Sequence, residues 1–271
     1  AKFLGAKATS DILDAWSAAY DIIATIFIDL EKQLYDELGS DEHDKGFISF
    51  NIIKKEKIAS GPIVSFTLER HDGGKMHSYH PGHLIQPFDD KTYRIAIKQE
   101  NDHEPKGIVS NEIINNYKEG DNILATLPAG TFMLVENARC HLFIAGGIGI
   151  TVLSSLIKEL HKQGKSNSAT LIHCVPTENH AAFAYQMRSI LPRNQYHLLL
   201  QGRHLLQRLI HKTIKPDTHV YLCGSVSFMN KVEDYLAQCG HPSSHIHTEA
   251  FRPSLSLIKN AVKDQATTKS L

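Results

Sequence analysis

The chain has 271 residues, of which 42% are hydrophobic and 21% are charged, a composition typical of a globular enzyme. Basic and acidic residues number 29 each, so the formal net charge is zero and no nucleic-acid partner is indicated. No apolar run approaches the roughly 20 residues that span a bilayer, so no membrane partner is expected either. Four dispersed cysteines without a CxxC pair favour a reducing compartment, and we expect a cytoplasmic protein.

The first predicted element is a long amphipathic helix from Ser10 to Leu38, which Ser10 or Thr9 can cap. Apolar side chains recur along it at helical spacing, namely Ile12, Leu13, Trp16, Tyr20, Ile23, Phe27, Leu30 and Leu34. This broad aromatic stripe needs a partner, yet no second helix follows for a long stretch of the sequence. Self-association through this helix is therefore a possibility.

Short strands separated by Gly, Pro and Asp turns follow, and they predict a small antiparallel barrel or sandwich. The predicted strands are Phe47 to Lys54, Ile63 to Glu69, Thr92 to Gln99, Asn122 to Thr126 and Phe132 to Val135. One helix interrupts them, from Ser110 to Tyr117. From His141 the pattern changes to alternating strands and helices.

This alternation predicts a parallel sheet with helices on both faces. The predicted strands are 141–145, 169–175, 196–200, 218–223 and 245–248, and the helices are 151–163, 180–190, 203–212 and 226–239. The first strand breaks at Gly146-Gly147 and opens a helix at Thr151, an arrangement that lets the backbone approach a phosphate. A second apolar strand ends in Cys223-Gly224-Ser225, so two strand ends predict a nucleotide site. The 17 histidines are scattered, and pairs such as His245/His247 are interpreted as loop residues rather than metal ligands.

This order of elements resembles the ferredoxin–NADP reductase superfamily and, more closely, the reductase half of flavohaemoglobin, the nitric oxide dioxygenase. Segments in family order carry the resemblance: Ser65–Glu69, Pro81-Gly82, Tyr93–Lys98, Val109–Asn111, Pro128–Gly130, Gly147–Thr151, Cys223–Met229 and Ile246–Phe251. The resemblance implies a terminal globin-type helix (1–40), an antiparallel FAD-type β-barrel (41–136), a parallel α/β NAD(P)-binding domain (137–252) and a tail (253–271). The fold class is thus α/β plus β.

Two positions depart from the family. In the family, an Arg-x-Tyr-Ser/Thr strand that holds the flavin follows the position of Pro81-Gly82. Here His83 to Thr92 contains neither arginine nor tyrosine, so we expect a barrel strand to be missing. The helix-opening proline expected after Thr151 is replaced by Val152, a change that capping by Thr151 can absorb.

The resemblance also implies the site residues. Gly147, Gly149 and Thr151 would receive the pyrophosphate of NADH or NADPH, and Cys223 and Gly224 would lie beside the nicotinamide ring. Gly107, Val109, Ser110 and Asn111 would bind the FAD pyrophosphate. Phe251 would shield the flavin, and Glu249, with Cys223, would assist catalysis. Simpler roles remain open for these residues: a packing turn, a structural cysteine, helix capping by Ser110, or an ordinary core phenylalanine.

The activity implied is hydride transfer from the nicotinamide to FAD and single-electron transfer to the haem of a globin domain, for nitric oxide detoxification. Glu178, after the second parallel strand, could accept a ribose hydroxyl, which favours NADH over NADPH. We expect no haem in this chain, because Ser10 to Leu38 contains no histidine. Two alternatives remain open: a non-catalytic remnant that still binds nicotinamide nucleotide, and a stand-alone electron-transfer module.

Overall fold

The computed structural model describes residues 9–37, 46–58, 63–74, 86–87, 91–101, 106–126, 130, 132–200 and 203–250. These residues form six α-helices and ten β-strands. By its contacts the chain divides into two compact units, of which one contains the first helix and the other contains most of the first sheet and all of the second. Within the described residues, no helix is both long and apolar enough to cross a membrane.

The first helix, α1, runs from Ser10 to Glu37 and agrees with the predicted range. The carbonyl of Thr9 accepts a hydrogen bond from the backbone N–H of Leu13 (3.0 Å), which makes Thr9 the residue that precedes the first turn. The described side chains of its apolar stripe are exposed, with Trp16 at 68% and Phe27 at 66%. The helix therefore presents a large apolar surface.

The first sheet has five strands in the order β3-β4-β2-β1-β5, and its described pairings are antiparallel. Its elements are β1 (Ile48–Lys57), β2 (Ile63–Arg70), β3 (Gln86–Pro87), β4 (Thr92–Lys98) and β5 (Asn122–Ala125), with helix α2 (Ile108–Asn116) between the last two. Strand β2 is central, with Phe66 opposite Lys55 on one side and Ile95 on the other. This agrees with the antiparallel prediction.

The second sheet has five strands in the order β10-β9-β6-β7-β8, and every pairing is parallel. The strands are β6 (Cys140–Gly146), β7 (Ala169–Val175), β8 (Tyr196–Leu200), β9 (Thr218–Gly224) and β10 (Ile246–Ala250), and the helices are α3 (Ile150–Lys162), α4 (Ala184–Ile190), α5 (Arg203–Thr213) and α6 (Val226–Gln238). Helix α3 packs with Phe143 and Tyr221 on one face, and α6 packs with Leu142 and Val220 on the other. Both faces of the sheet are covered, as the parallel prediction requires.

The strand predicted from Phe132 to Val135 is wrong, because these residues form no ladder. They pack instead on the parallel sheet. Phe132 is buried against the ring of Tyr221, with ring centroids 6.0 Å apart, and the N–H of Val135 donates to the Tyr221 hydroxyl (2.9 Å). The apolar alternation that looked like a strand therefore reflects contacts with the second sheet.

Candidate functional site

The order in which strands are added to the parallel sheet reverses between β6 and β9. From β6 the chain moves outward through β7 to β8, and it then returns to place β9 and β10 on the other side of β6. At such a switch point the connecting helices leave toward opposite faces, and a crevice opens at the carboxyl ends of the strands. The two glycine-containing strand ends that the sequence singled out lie here side by side, with Ala145 opposite Cys223.

The edge is packed so tightly that it requires glycines. A Cβ at Gly149 would lie 2.1 Å from the carbonyl oxygen of Cys223, and a Cβ at Gly146 or Gly224 would lie 2.7 or 2.8 Å from the ring of Phe228. Phe228, on α6, therefore packs beneath both strand ends. The sequence motif contained Phe228, but we assigned it no role.

The turn that follows β6 differs from the prediction. Gly147–Gly149 form a 3₁₀ turn, with Gly147 at φ +54°, and α3 begins at Ile150 rather than at Thr151. The prediction that Thr151 caps the helix is wrong. Thr151 lies within the first turn of α3, and its buried hydroxyl donates a hydrogen bond to the carbonyl of Ile148 (2.9 Å). The glycine turn leads into α3 without a side-chain cap, so the first backbone N–H groups of the helix lie at the sheet edge.

Cys223 and Glu249 are neighbours across β9 and β10. The Cys223 side chain is completely buried, and burial, followed by the nearby Glu249 carboxylate, raises the pKa of its thiol. Burial also raises the pKa of Glu249, which is part-buried. The pair thus combines a neutral thiol with a carboxyl group whose proton is held more tightly than usual.

A buried histidine lies on the other side of β6. His173, on β7, is completely buried, its Nε2 lies 3.2 Å from the carbonyl oxygen of Gly147, and its Nδ1 lies 3.5 Å from the hydroxyl of Tyr196. Sequence reasoning missed this residue, because a single histidine in a buried strand has no distinguishing pattern.

The residues predicted to bind FAD form a second group at the start of α2. Gly107 precedes the helix, and its N–H donates to the carbonyl of Glu100 (2.9 Å). The Asn111 side-chain amide donates to the Gly107 carbonyl (2.7 Å) and to the Glu100 carbonyl (3.2 Å), while Ser110 accepts from the Glu100 N–H (3.4 Å). Val109 is 70% exposed. Glu100 thus lies beside the N-terminus of this helix.

Two further predicted residues lie apart from these groups. Glu178 follows β7, and its carboxylate lies 3.6 Å from the guanidinium of Arg188. Phe251 lies outside the described residues, directly after β10, and the predicted tail also lies outside them. Among the residues that the structure describes, no group of histidine, cysteine or acidic side chains could hold a metal ion.

Comparison with known proteins identifies the family, although no family model matches. The chain is 31% identical over 301 residues to the flavohemoprotein of Halalkalibacterium halodurans, a match that spans 95% of this chain and 72% of that protein. The chain belongs to the flavohemoprotein family. Flavohemoprotein A of Dictyostelium discoideum is 29% identical, over 91% of this chain and 71% of that protein.

Solved structures place this flavohemoprotein chain in the same fold. The FAD/NAD-binding domain of nitric oxide dioxygenase from Vibrio cholerae has a TM-score of 0.67 and 28% identity, over 77% of this chain and the whole of that one. A flavohemoglobin from Malassezia yamatoensis, solved with bound FAD and heme, has a TM-score of 0.72 and 22% identity, over 93% of this chain and 71% of that one. The two sheets are therefore those of a flavohemoprotein reductase, in the ferredoxin–NADP reductase-like fold.

Proposed function

We propose that this chain is the reductase portion of a nitric oxide dioxygenase, which takes a hydride from NADH and passes electrons through FAD to the haem of a globin domain. One observation carries the proposal. The glycine turn after β6 and the Cys223-Gly224 end of β9 meet at the switch point of the parallel sheet, where Gly149 packs against the Cys223 carbonyl. In open α/β sheets a nucleotide binds at such an edge, and hydride transfer is carried out by bound cofactors.

The residues present fit a nicotinamide nucleotide. Gly147 and Gly149 keep the backbone of the turn free of side chains, and the N–H groups at the start of α3 carry the partial positive charge that a pyrophosphate needs. Thr151 would support the turn through its bond to Ile148. At the other strand end, Gly224 would lie beside the nicotinamide with Phe228 packed against it, and Cys223 would act as a neutral thiol next to Glu249.

The residues present fit a flavin less completely. Gly107, Val109, Ser110 and Asn111 would offer the N-terminus of α2 to its pyrophosphate, and Phe251 would cover its ring. When bound, FAD supplies a group that accepts hydride and releases electrons one at a time. Glu249 would place its carboxyl group near the point of transfer, and burial raises the pKa of that group.

One alternative is a chain that binds nicotinamide nucleotide but does not bind flavin productively, and two observations favour it. The Cβ and Cγ of Glu100 would crowd a side chain at Gly107, and its carboxylate lies 3.9 Å from the Nζ of Lys98. Negative charge near the N-terminus of a helix opposes the binding of a second anion there. The interval from His83 to Thr92, without the family's arginine and tyrosine, favours the same alternative.

The test is to purify the chain, add FAD, and record its visible absorption spectrum and its oxidation of NADH with a small artificial electron acceptor. The proposal predicts a flavin spectrum together with oxidation of NADH. A protein that binds NAD⁺ but retains no FAD would support the alternative, and a protein that binds neither would refute both. In the full system we propose that a haem-bearing globin is the electron acceptor, and that the exposed stripe of α1 supports self-association when that partner is not bound.

A further inference from the structure

A buried polar side chain adjoins the glycine turn on β7. His173 lies in the parallel sheet opposite Ala145 on one side and Leu198 on the other. It is completely buried, and its surroundings on that face of the sheet are apolar. Such a group is destabilising unless it is hydrogen-bonded, so its two ring nitrogens need partners.

The two partners define the state of the ring. The carbonyl oxygen of Gly147 can only accept a hydrogen bond, so the nitrogen 3.2 Å away, Nε2, carries the proton. Burial lowers the pKa of His173 to about 4, so the ring is neutral at physiological pH and Nδ1 is left as an acceptor. The Tyr196 hydroxyl, 3.5 Å from Nδ1, is at the limit of hydrogen-bond distance and can donate to it; burial raises its pKa to about 12, which keeps that proton in place.

The hydrogen bond from Nε2 also orients a peptide group. The carbonyl of Gly147 and the N–H of Ile148 belong to one planar trans peptide, in which the two groups point in opposite directions. Directing the carbonyl toward buried His173 therefore turns the Ile148 N–H away from the sheet interior. Gly147 has a φ of +54°. Because glycine populates positive and negative φ about equally, the backbone alone does not fix the orientation of this peptide, and a contact from outside the turn has to hold it.

We propose that His173 is the positioning residue of the nucleotide site: its Nε2–H holds the Gly147 carbonyl inward, and so presents the Ile148 N–H to the pyrophosphate of the nicotinamide nucleotide. This role rests on the function proposed above. His173 touches neither cofactor nor reacting atoms, and it acts only through the peptide that it orients.

A matched pair of variants separates the hydrogen bond from packing. His173→Gln keeps an N–H donor at a similar reach, and His173→Leu fills the space without a donor. We expect His173→Leu to weaken NAD⁺ binding about 5- to 10-fold, the equivalent of one hydrogen bond, and His173→Gln to stay within about 3-fold of the parent chain. With NADH as substrate, KM should rise in His173→Leu by more than kcat falls.

Two results would overturn the proposal: equal losses in both variants, which would indicate packing alone, or NAD⁺ binding by His173→Leu that matches the parent. If the parent chain itself does not bind NAD⁺, the proposed function fails instead. A measurement on the unaltered chain covers the case in which His173→Leu does not fold. Nitrogen-15 NMR should show a neutral His173 ring protonated at Nε2 at pH 7, and an Nδ1–H tautomer or a charged ring would contradict the assignment.

Discussion

Gly149 lies so close to Cys223 that the two strand ends of the parallel sheet nearly touch. A Cβ at Gly149 would stand 2.1 Å from the carbonyl oxygen and 2.5 Å from the carbonyl carbon of Cys223. Both are backbone atoms, which cannot rotate away as the end of a flexible side chain can. The glycine at this position is thus required by the packing of α3 against β9, whether or not a nucleotide is bound.

The first prediction follows from this contact. Gly149→Ala should destabilise the fold by about 1–3 kcal/mol, as an overpacked core does, and it should raise the KM for NADH because the turn must shift. Gly147→Ala is the matched control for stability alone: a Cβ there meets nothing within 4 Å, so only the cost of the positive φ, about 1–2 kcal/mol, is lost from the free energy of unfolding. Denaturant unfolding measures the stability of the two variants, and steady-state kinetics measure the KM of Gly149→Ala for NADH. Normal NADH kinetics in Gly149→Ala would contradict the expectation.

The second prediction concerns Glu100 and flavin affinity. Its backbone carbonyl accepts from the N–H of Gly107, so the residue is held at the start of α2. The Glu100 carboxylate lies 3.9 Å from the Nζ of Lys98. Glu100→Gln removes this negative charge near the start of α2, and we expect FAD to bind about 2- to 5-fold more tightly. Fluorescence titration with FAD measures this. Glu112→Gln, on the exposed side of the same helix, should leave the affinity unchanged, and equal effects of the two changes would point to net charge rather than position.

The third prediction is a loss of stability on acidification. Burial lowers the pKa of both His141 and His173 to about 4. Protonation in the unfolded chain begins near the ordinary histidine pKa of about 6.5, so the unfolded state binds protons first and stability falls between that pH and about 4. Each histidine contributes a slope below about 1.4 kcal/mol per pH unit, and nothing further is lost once the folded state also binds the proton.

His141 lies among rings and charges that lower its pKa further and so increase the total stability lost on acidification. Its ring centroid is 5.8 Å from that of Tyr221, and His219, His247 and Lys165 also lower its pKa. Urea unfolding at a series of pH values measures the slope. His141→Leu should flatten the curve, whereas His161→Gln, at an exposed position, should not. A parent chain of constant stability from pH 7 to pH 4 would disprove the prediction.

The fourth prediction concerns nucleotide choice. The Glu178 carboxylate lies 3.6 Å from Arg188, and both side chains are exposed. Glu178→Ala removes the acceptor proposed for a ribose hydroxyl and frees Arg188 to pair with a 2′-phosphate. The ratio of kcat/KM for NADH to that for NADPH should fall about 3- to 10-fold. Glu112→Gln again serves as the control, and an unchanged ratio would exclude Glu178 from nucleotide recognition.

The fifth prediction tests self-association through α1. Tyr20 is 70% exposed, Phe27 66% and Leu30 51%. Contiguous exposed apolar side chains of this size mark interaction surfaces, and covering them favours association at about 25 cal/mol per Å2. Light scattering should show an apparent mass above 30.3 kDa that Phe27→Ser with Leu30→Ser lowers. Lys32→Ser on the same helix should leave the mass unchanged, and a parent chain that is monomeric at high concentration would refute the idea.

Local pattern was enough to predict α1, the antiparallel strands and the alternating half, because hydrophobic periodicity is carried by neighbouring residues. Local pattern also placed Gly147, Gly149, Cys223 and Gly224 at strand ends, because an apolar run of residues stops at each of these two points. The start of α4 was predicted too early: a 3₁₀ turn at Glu178–His180 precedes it, and the helix begins only at Ala184.

Tertiary structure alone decided which residues meet. Phe132–Val135 has the alternation of a strand, but it packs on Tyr221, a partner far along the chain that no local pattern indicates. The strand order brings Gly149 against Cys223, and it places His173 beneath Gly147. These contacts join segments that are distant in sequence, and their geometry depends on packing and burial, which are properties of the folded chain.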